Sequence, residues 1–324
     1  MTASSAMART GTGVAAFCAG VMACAQSYPV KPIRVIVPFV PGGNTDIIAR
    51  AVAARMAEGL RQQMVIDNRG GAGGTVGTEA IARAAPDGYT IGIVSASHVF
   101  NPALQSKLPY DTLRDFTALG LVADVPTLLA VHPSLPAKNV KELIALARRA
   151  PDSLNYASAG IGTVGHLSAE LLKSRGKFEM THIPYKGSGQ AISDLIGGQI
   201  PVMFASIPVM IAHVQAGKIR ALGVTSAKRS LALPEVPTIA EQGFPGYEVS
   251  SGFGMIGPAG LPRTVVERLN GELVRVLKLP DVRERFASQG AEPVGNTPEQ
   301  HAAFIRSEVA KWIKVVKDAG IRTE

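Results

Sequence analysis

Cysteine is almost absent: among 324 residues there are two, Cys18 and Cys24. Both lie in an N-terminal stretch in which Arg9 precedes the small apolar run Val14–Ala25, ending Ala23-Cys24-Ala25. That order of charge, apolar core and small residues reads as a secretory signal peptide over residues 1–25, cut near Ala25. A lipoprotein cut before Cys24 ranks second, because Met22 is bulky for the small-residue run that such a cut requires. A chain trimmed after Ala25 would hold no cysteine, which excludes a disulfide framework, a thiol nucleophile, cysteine-ligated zinc and an iron–sulfur cluster. Aromatic residues are also scarce, at 5%, and Lys and Arg form no block. The formal charge of +8, which becomes +7 once the single charge of Arg9 is removed, is therefore spread over surfaces. Nucleic acid is not an expected partner of such a chain, although anionic solutes are. After residue 30 no uncharged apolar stretch reaches the ~18 residues that a membrane span needs.

Local catalytic signatures are missing too. The six histidines show neither HxH nor HExxH spacing, and no GxSxG, kinase or β-lactamase pattern occurs. No metal and no cofactor is expected. Two other readings stay open: an exported α/β enzyme, and a dinucleotide-binding oxidoreductase using the GxGxxG pattern at Gly160–Gly165. The second has Glu179 about twenty residues on, as the fingerprint asks, but near the start of the following strand instead of its end.

What is present begins with Ile33–Leu60: a β-branched apolar run, the turn Pro41-Gly42-Gly43, and a helical stripe of Ile47, Ile48, Ala51, Val52, Met56 and Leu60. Asn44 or Thr45 suits the helix cap, and Asp46 places a carboxylate in the first turn, as a cap or orienting group. Such a unit aims backbone N–H groups and the positive helix end at the space above the strand, where an anion would sit. The same theme returns at Leu154–Ser174, with Gly160 and Gly162 in its turn. Between and after these units, strands alternate with helices, predicting an α/β fold of βαβ units with helices on both sheet faces. The glycine-rich loop 68–74 lacks the lysine of a P-loop and reads as a plain connection. Ser95, Ser97, His98 and Asn101 follow a strand's carboxyl end, where they either face a cleft or serve turn and cap chemistry. His166, in the first turn of the second helix, either donates to a ligand as a neutral ring or packs, packing being favoured. Leu121–Val131 reads as one strand interrupted at Pro126, and Tyr247–Ile256 as another. Near the C-terminus Phe304, Ile305, Val309, Trp312, Ile313 and Val316 form a core stripe.

Several segments also resemble the Bug family, the extracytoplasmic receptors of tripartite tricarboxylate transporters: PFVPGGNTDIIAR, DNRGGAGGTVGTEAIARAAPDGYT, NPALQSKLPYD, ASAGIGTVGHLSAEL, PYKGSGQAISDLIGGQIPVMF and QGAEPVGNTPEQHAAFI. The likeness runs from about Tyr28 to the C-terminus. It implies a two-domain periplasmic binding protein, type II-like, with parallel or mixed sheets joined by crossing strands. Crossings near Ala123–Pro126 and Ser250–Phe253 would give one domain of residues 26–124 plus 250–324 and another of 125–249. The resemblance further implies a non-enzymatic monomer that closes on a small carboxylate and either delivers it to a two-component membrane permease or senses it without one. Its carboxylate pincers fall on Gly42, Gly43, Asn44, Thr45 and Asp46 and on Ser158, Gly160, Gly162 and Thr163. Lining residues implied by position are Phe39, Ser95, Ser97, His98 and Asn101, then His166, Tyr185, Lys186, Gly187 and Ser206. Ala205 follows Phe204 where many members carry Asp, so ligand identity is left open.

Overall fold

The computed structural model describes residues 1–2, 28–149, 154–185, 187–288 and 290–321. The signal-peptide residues Cys24 and Ala25, and Lys186, lie outside the described residues. The first half of the chain runs β1 (Ile33–Val37), α1 (Asn44–Leu60), β2 (Met64–Asn68), α2 (Thr75–Ala82), β3 (Thr90–Val94), α3 (Ser97–Leu104) and β4 (Phe116–Asp124). A second run follows as β5 (Thr127–Val131), α4 (Val140–Arg149), β6 (Asn155–Ser158), α5 (Val164–Gly176), β7 (Thr181–Pro184), α6 (Ser188–Ile196), β8 (Val202–Ser206), α7 (Ile207–Gln215) and β9 (Arg220–Val224). The chain closes with β10 (Phe253–Pro258), α8 (Arg263–Val276), α9 (Pro280–Ala287), β11 (Glu292–Pro293) and α10 (Pro298–Asp318).

These strands form two sheets, ordered β11-β4-β10-β3-β1-β2 and β7-β6-β8-β5-β9. Strands delivered by a helical crossover lie parallel: β1 with β2 and β3, and β6 with β7 and β8. Each sheet also holds a strand that arrives from the other sheet and runs against its neighbours. β10 is antiparallel to β3 and β4, and β5 to β8 and β9. β5 follows β4 with no helix between, and β10 returns from β9 through a long connection with only a short 3-10 turn at Ala240–Gln242, so no α-helical crossover within one sheet imposes the parallel direction on them.

The expected strand through Leu121–Val131 is thus two strands in two sheets, divided at Val125-Pro126, where proline supplies no ladder N–H. The strand expected at Tyr247–Ile256 starts only at Phe253, because residues 249–252 are the returning crossover. The two crossovers hydrogen-bond to each other. Val125 N–H donates to Ser251 O at 3.2 Å, and Ser251 N–H to Val125 O at 3.1 Å.

In α1 the buried stripe is Ile48, Ala49, Val52, Ala53, Met56 and Leu60; Ile47 and Ala51 are only half-buried. The last helix opens on a capping box between Thr297 and Gln300, with Pro298 at its first turn. Its inward face carries Ile305, Val309, Trp312, Val315 and Val316, while Ile313, expected in that stripe, is 47% exposed. Trp312 meets Phe100 of α3 edge-on at 4.9 Å. Contacts of α10 with both α3 and α5 extend one buried cluster, including Ile36, Val94, Phe100, Leu129, Tyr156 and Leu167, across the two lobes.

Candidate functional site

Each glycine turn sits at a strand's carboxyl end and feeds a helix. In the first, Gly42 has φ +86°, a left-handed conformation that glycine adopts without the Cβ clash. The cap of α1 is Gly43, with no side-chain bond, so neither Asn44 nor Thr45 caps as expected; Asn44 is exposed and Thr45 buried. Asp46 does the work instead. Its buried carboxylate accepts from Gly42 N–H at 2.9 Å, from Arg50 Nε at 2.9 Å and from Asn68 Nδ2 at 2.9 Å. Asn68 also donates to Phe39 O at 3.0 Å, which ties the turn to the end of β2. Burial alone would raise the Asp46 pKa, but Arg50, Gly42 N–H and Asn68 together hold it below the usual carboxylate range.

Asp46→Ala is therefore expected to cost about 2–3 kcal/mol, because it strands three donors, one of them charged and partly exposed. Urea unfolding measures this, and an unchanged midpoint would mean that the turn holds itself.

The second turn repeats this device with different chemistry. Gly162, at φ +74°, donates its N–H to His166 Nδ1 at 3.0 Å, the residue four positions on, as Asp46 is from Gly42. Thr163 caps α5 with its hydroxyl, which also donates to Gly160 O at 2.7 Å. Ser158 is fully buried; its Oγ accepts from Gly160 N–H at 3.2 Å and lies 2.7 Å from His182 Nε2. The His166 and His182 rings stack 4.1 Å apart, and Tyr156 stacks on the far face of the pair at 4.8 Å from His182. Burial pushes both histidines down to about 4, so His166 is neutral; its Nδ1 accepts from Gly162, which leaves the ring proton on Nε2, and His166 stands outside the cleft lining.

A cleft of about 630 Å³ lies between α3 with its flanking residues and the second glycine turn. Of the residues implied by resemblance it is lined by Phe39, Ser95, Ser97, Asn101, Gly162 and Thr163. Phe39 and Ser97 converge, since a Cβ on Gly74 would lie 3.2 Å from each. The Ser95 and Ser97 hydroxyls are 3.1 Å apart.

The structure does not bring the other named residues to this surface. The first-turn residues Gly42, Gly43, Asn44, Thr45 and Asp46 stand outside the lining, as do Ser158 and Gly160. The amides of Gly42, Gly160 and Gly162 are already satisfied within the chain. His98 is buried, packed edge-on to Phe116 at 4.9 Å, so it supports the cleft from behind. The Tyr185 hydroxyl donates to Asp194 at 2.6 Å, turning that side chain toward α6. Ser206 ends β8 and caps α7. Gly187, at φ +120°, caps α6 and also lies outside the lining.

Sequence reading missed Leu104, Gln105, Ser106 and Lys107 just beyond α3, Ile161 and Val164 around the second turn, and Ser251 on the crossover. Leu104 meets the second turn across the gap, with its Cδ1 2.9 Å from where a Gly162 Cβ would stand. The segment NPALQSKLPYD held these residues, its polar run Gln105-Ser106-Lys107 coming one helical turn after Asn101. Glu179, offered as a ribose ligand, is exposed and pairs with Lys173 at 3.4 Å before β7 begins, at the end of the sheet away from the glycine turn. Among the described residues no group of three or more His, Cys, Asp or Glu gathers for a metal, and no helix is long and apolar enough to cross a membrane.

Two α/β lobes joined by crossing strands both contribute to one cleft, and with the relatives named next they make this chain a solute-binding receptor, not an enzyme. The particular family is named by comparison with known proteins: the chain belongs to the TctC family, described as the tripartite tricarboxylate transporter family receptor, whose model matches residues 48–321. Protein BugT of Bordetella pertussis is 38% identical over 300 residues, covering 92% of each chain. The R. palustris protein Rpa4515, solved with adipate, is 39% identical with a TM-score of 0.77, covering 91% of this chain and 99% of its own. MatC from Rhodopseudomonas palustris, solved with bound malate, is 36% identical with a TM-score of 0.72, covering 89% and 100%.

Proposed function

We propose that this chain is a periplasmic receptor that captures a small organic acid in the cleft and hands it to a two-component membrane permease. The observation that carries the reading is the cleft itself: hydroxyls of Ser95, Ser97 and Thr163 and the Asn101 amide line it, and no acidic side chain does among the described residues. Such a surface solvates a carboxylate through neutral donors and ordered water. Adipate in Rpa4515 and malate in MatC support the same ligand class. The leader would be removed near Ala25, leaving a monomer of two lobes, residues 26–124 with 250–324 and residues 125–249. Closure then follows from the ligand binding the closed form more tightly than the open one.

The test is thermal unfolding of residues 26–324 with millimolar carboxylates, amino acids, nicotinate and NAD. A ligand at about 100 times its Kd adds about 2.7 kcal/mol, a rise of several degrees. Stabilisation by one class of acid is the expected result. Stabilisation by NAD alone would overturn the reading.

A further inference from the structure

We infer that Lys107 is the specificity residue that reads a second carboxylate, so that the cleft selects diacids over monoacids of the same length. This rests on the carboxylate-receptor reading above. Lys107 is the one basic residue lining the cleft among the described residues, and no acid lines it. It is exposed, and among the described residues it has no ion pair, whereas nearby Arg114 pairs with Asp111 at 3.6 Å. An ammonium left unneutralised beside a ligand cleft creates a positive potential there without a partner to quench it.

Its position along α3 sets what it can read. Ser97, Phe100, Asn101 and Leu104 fall at helical spacing and all line the cleft. The distance from Ser97 to Leu104 is roughly 10 Å at 1.5 Å per residue; the chain leaves the helix at Gln105, which is extended, and carries Lys107 into the same cleft lining three residues after Leu104. One end of that line offers the paired hydroxyls of Ser95 and Ser97, 3.1 Å apart. The middle is apolar, with Phe100 and Leu104, and Ile161 opposite from the second turn. The far end is the ammonium. A molecule with a carboxylate at each end and a short aliphatic chain between matches this order; a monoacid leaves the ammonium without a counterion, and a compact tri-anion puts charge against the apolar middle.

The experiment is calorimetric titration of the mature protein with unbranched diacids of four to eight carbons and the monoacids of equal length. It is repeated on Lys107→Gln and Lys107→Arg and at two salt concentrations. The wild type is expected to prefer one diacid over its monoacid by at least about tenfold, the preference shrinking at high salt. Lys107→Gln is expected to cut that preference about tenfold, and Lys107→Arg to keep most of it. A preference unchanged in Lys107→Gln overturns this inference alone. Absence of binding by any acid to the folded wild type overturns the receptor reading, and this inference with it.

Discussion

Gly165→Ala is expected to lower the melting temperature sharply, while Gly162→Val, three residues away, is expected to fold and fail to bind. Gly165 lies in the first turn of α5, where an added Cβ would stand 2.3 Å from Phe204 O and 3.2 Å from Phe204 C. Those are main-chain atoms of β8, inside the second sheet, so neither side can yield without lifting the helix off the strand. A cost of at least about 4 kcal/mol is a large share of the 5–15 kcal/mol that a domain possesses. At Gly162 the obstacle is only Leu104 Cδ1, the end of a flexible side chain, and the strain of φ +74° in a β-branched residue is about 1–3 kcal/mol. The valine would stand between the lobes and block their approach. Circular dichroism melts and titration with the preferred acid separate the two outcomes. A Gly165→Ala melt within a degree or two of wild type would mean that α5 does not press on β8, and wild-type affinity in Gly162→Val would remove the Leu104–Gly162 closure. Gly43, equivalent in sequence reading, differs in space: its φ is −78° and a Cβ there meets only Val40 O at 3.9 Å, so Gly43→Val is expected to fold with little strain.

Acid is expected to unfold this protein steeply. His98 is pushed down to about 3, and His166, His182 and His301 to about 4, burial being the main cause in each. The unfolded chain titrates its histidines near 6.5, so between about pH 6.5 and 4 it binds protons that the native state refuses, and stability falls as pH falls through that window. Asp124, at the crossover, acts the other way. Burial, with Glu248 and Glu292 nearby, raises it to about 6, so the native carboxyl holds a proton that the unfolded one has lost. Four histidines against one aspartate, with a discount for the partly exposed His182, leave a net uptake of about two to three protons on unfolding near pH 5. The unfolding constant should then rise about 100- to 1,000-fold per pH unit, readable from urea titrations at pH 6, 5.5 and 5. A flat response would mean that the native histidines titrate normally. His166 links this to binding, because once protonated at Nδ1 it can no longer accept Gly162 N–H, and the second turn loses its brace.

The strand–turn–helix units were legible because their signals are contiguous: a β-branched run, glycines, then a stripe at helical spacing. The leading role of Gly43 as cap was not, since it depends on Asp46 reaching back to Gly42 and sideways to Asn68, a residue of another strand. Equally hidden was the equivalence of Asp46 and His166, two unlike residues that accept the amide four positions before them in the two lobes. Leu104 continues the helical spacing of Ser97, Phe100 and Asn101, whereas Lys107 and Ser251 reach the cleft through tertiary placement and no periodicity marks them. The family likeness gave the crossovers and the neighbourhood of the site. It could not show that Tyr185 spends its hydroxyl on Asp194, or that His98 lies behind the wall.

The paired crossovers have a consequence for how such a receptor diversifies. The crossovers, which on the receptor reading proposed above are the pivot between the lobes, are held by main-chain bonds, Val125 with Ser251 in both directions, and such bonds are indifferent to most side chains placed around them. The cleft on which that reading places recognition is lined elsewhere, by α3 with its flanking residues and by the second glycine turn. Movement and taste are thus held on separate parts of the chain. A lineage of copies can exchange residues such as Lys107 or Ile161, trying new metabolites one substitution at a time, while each copy keeps a working bite.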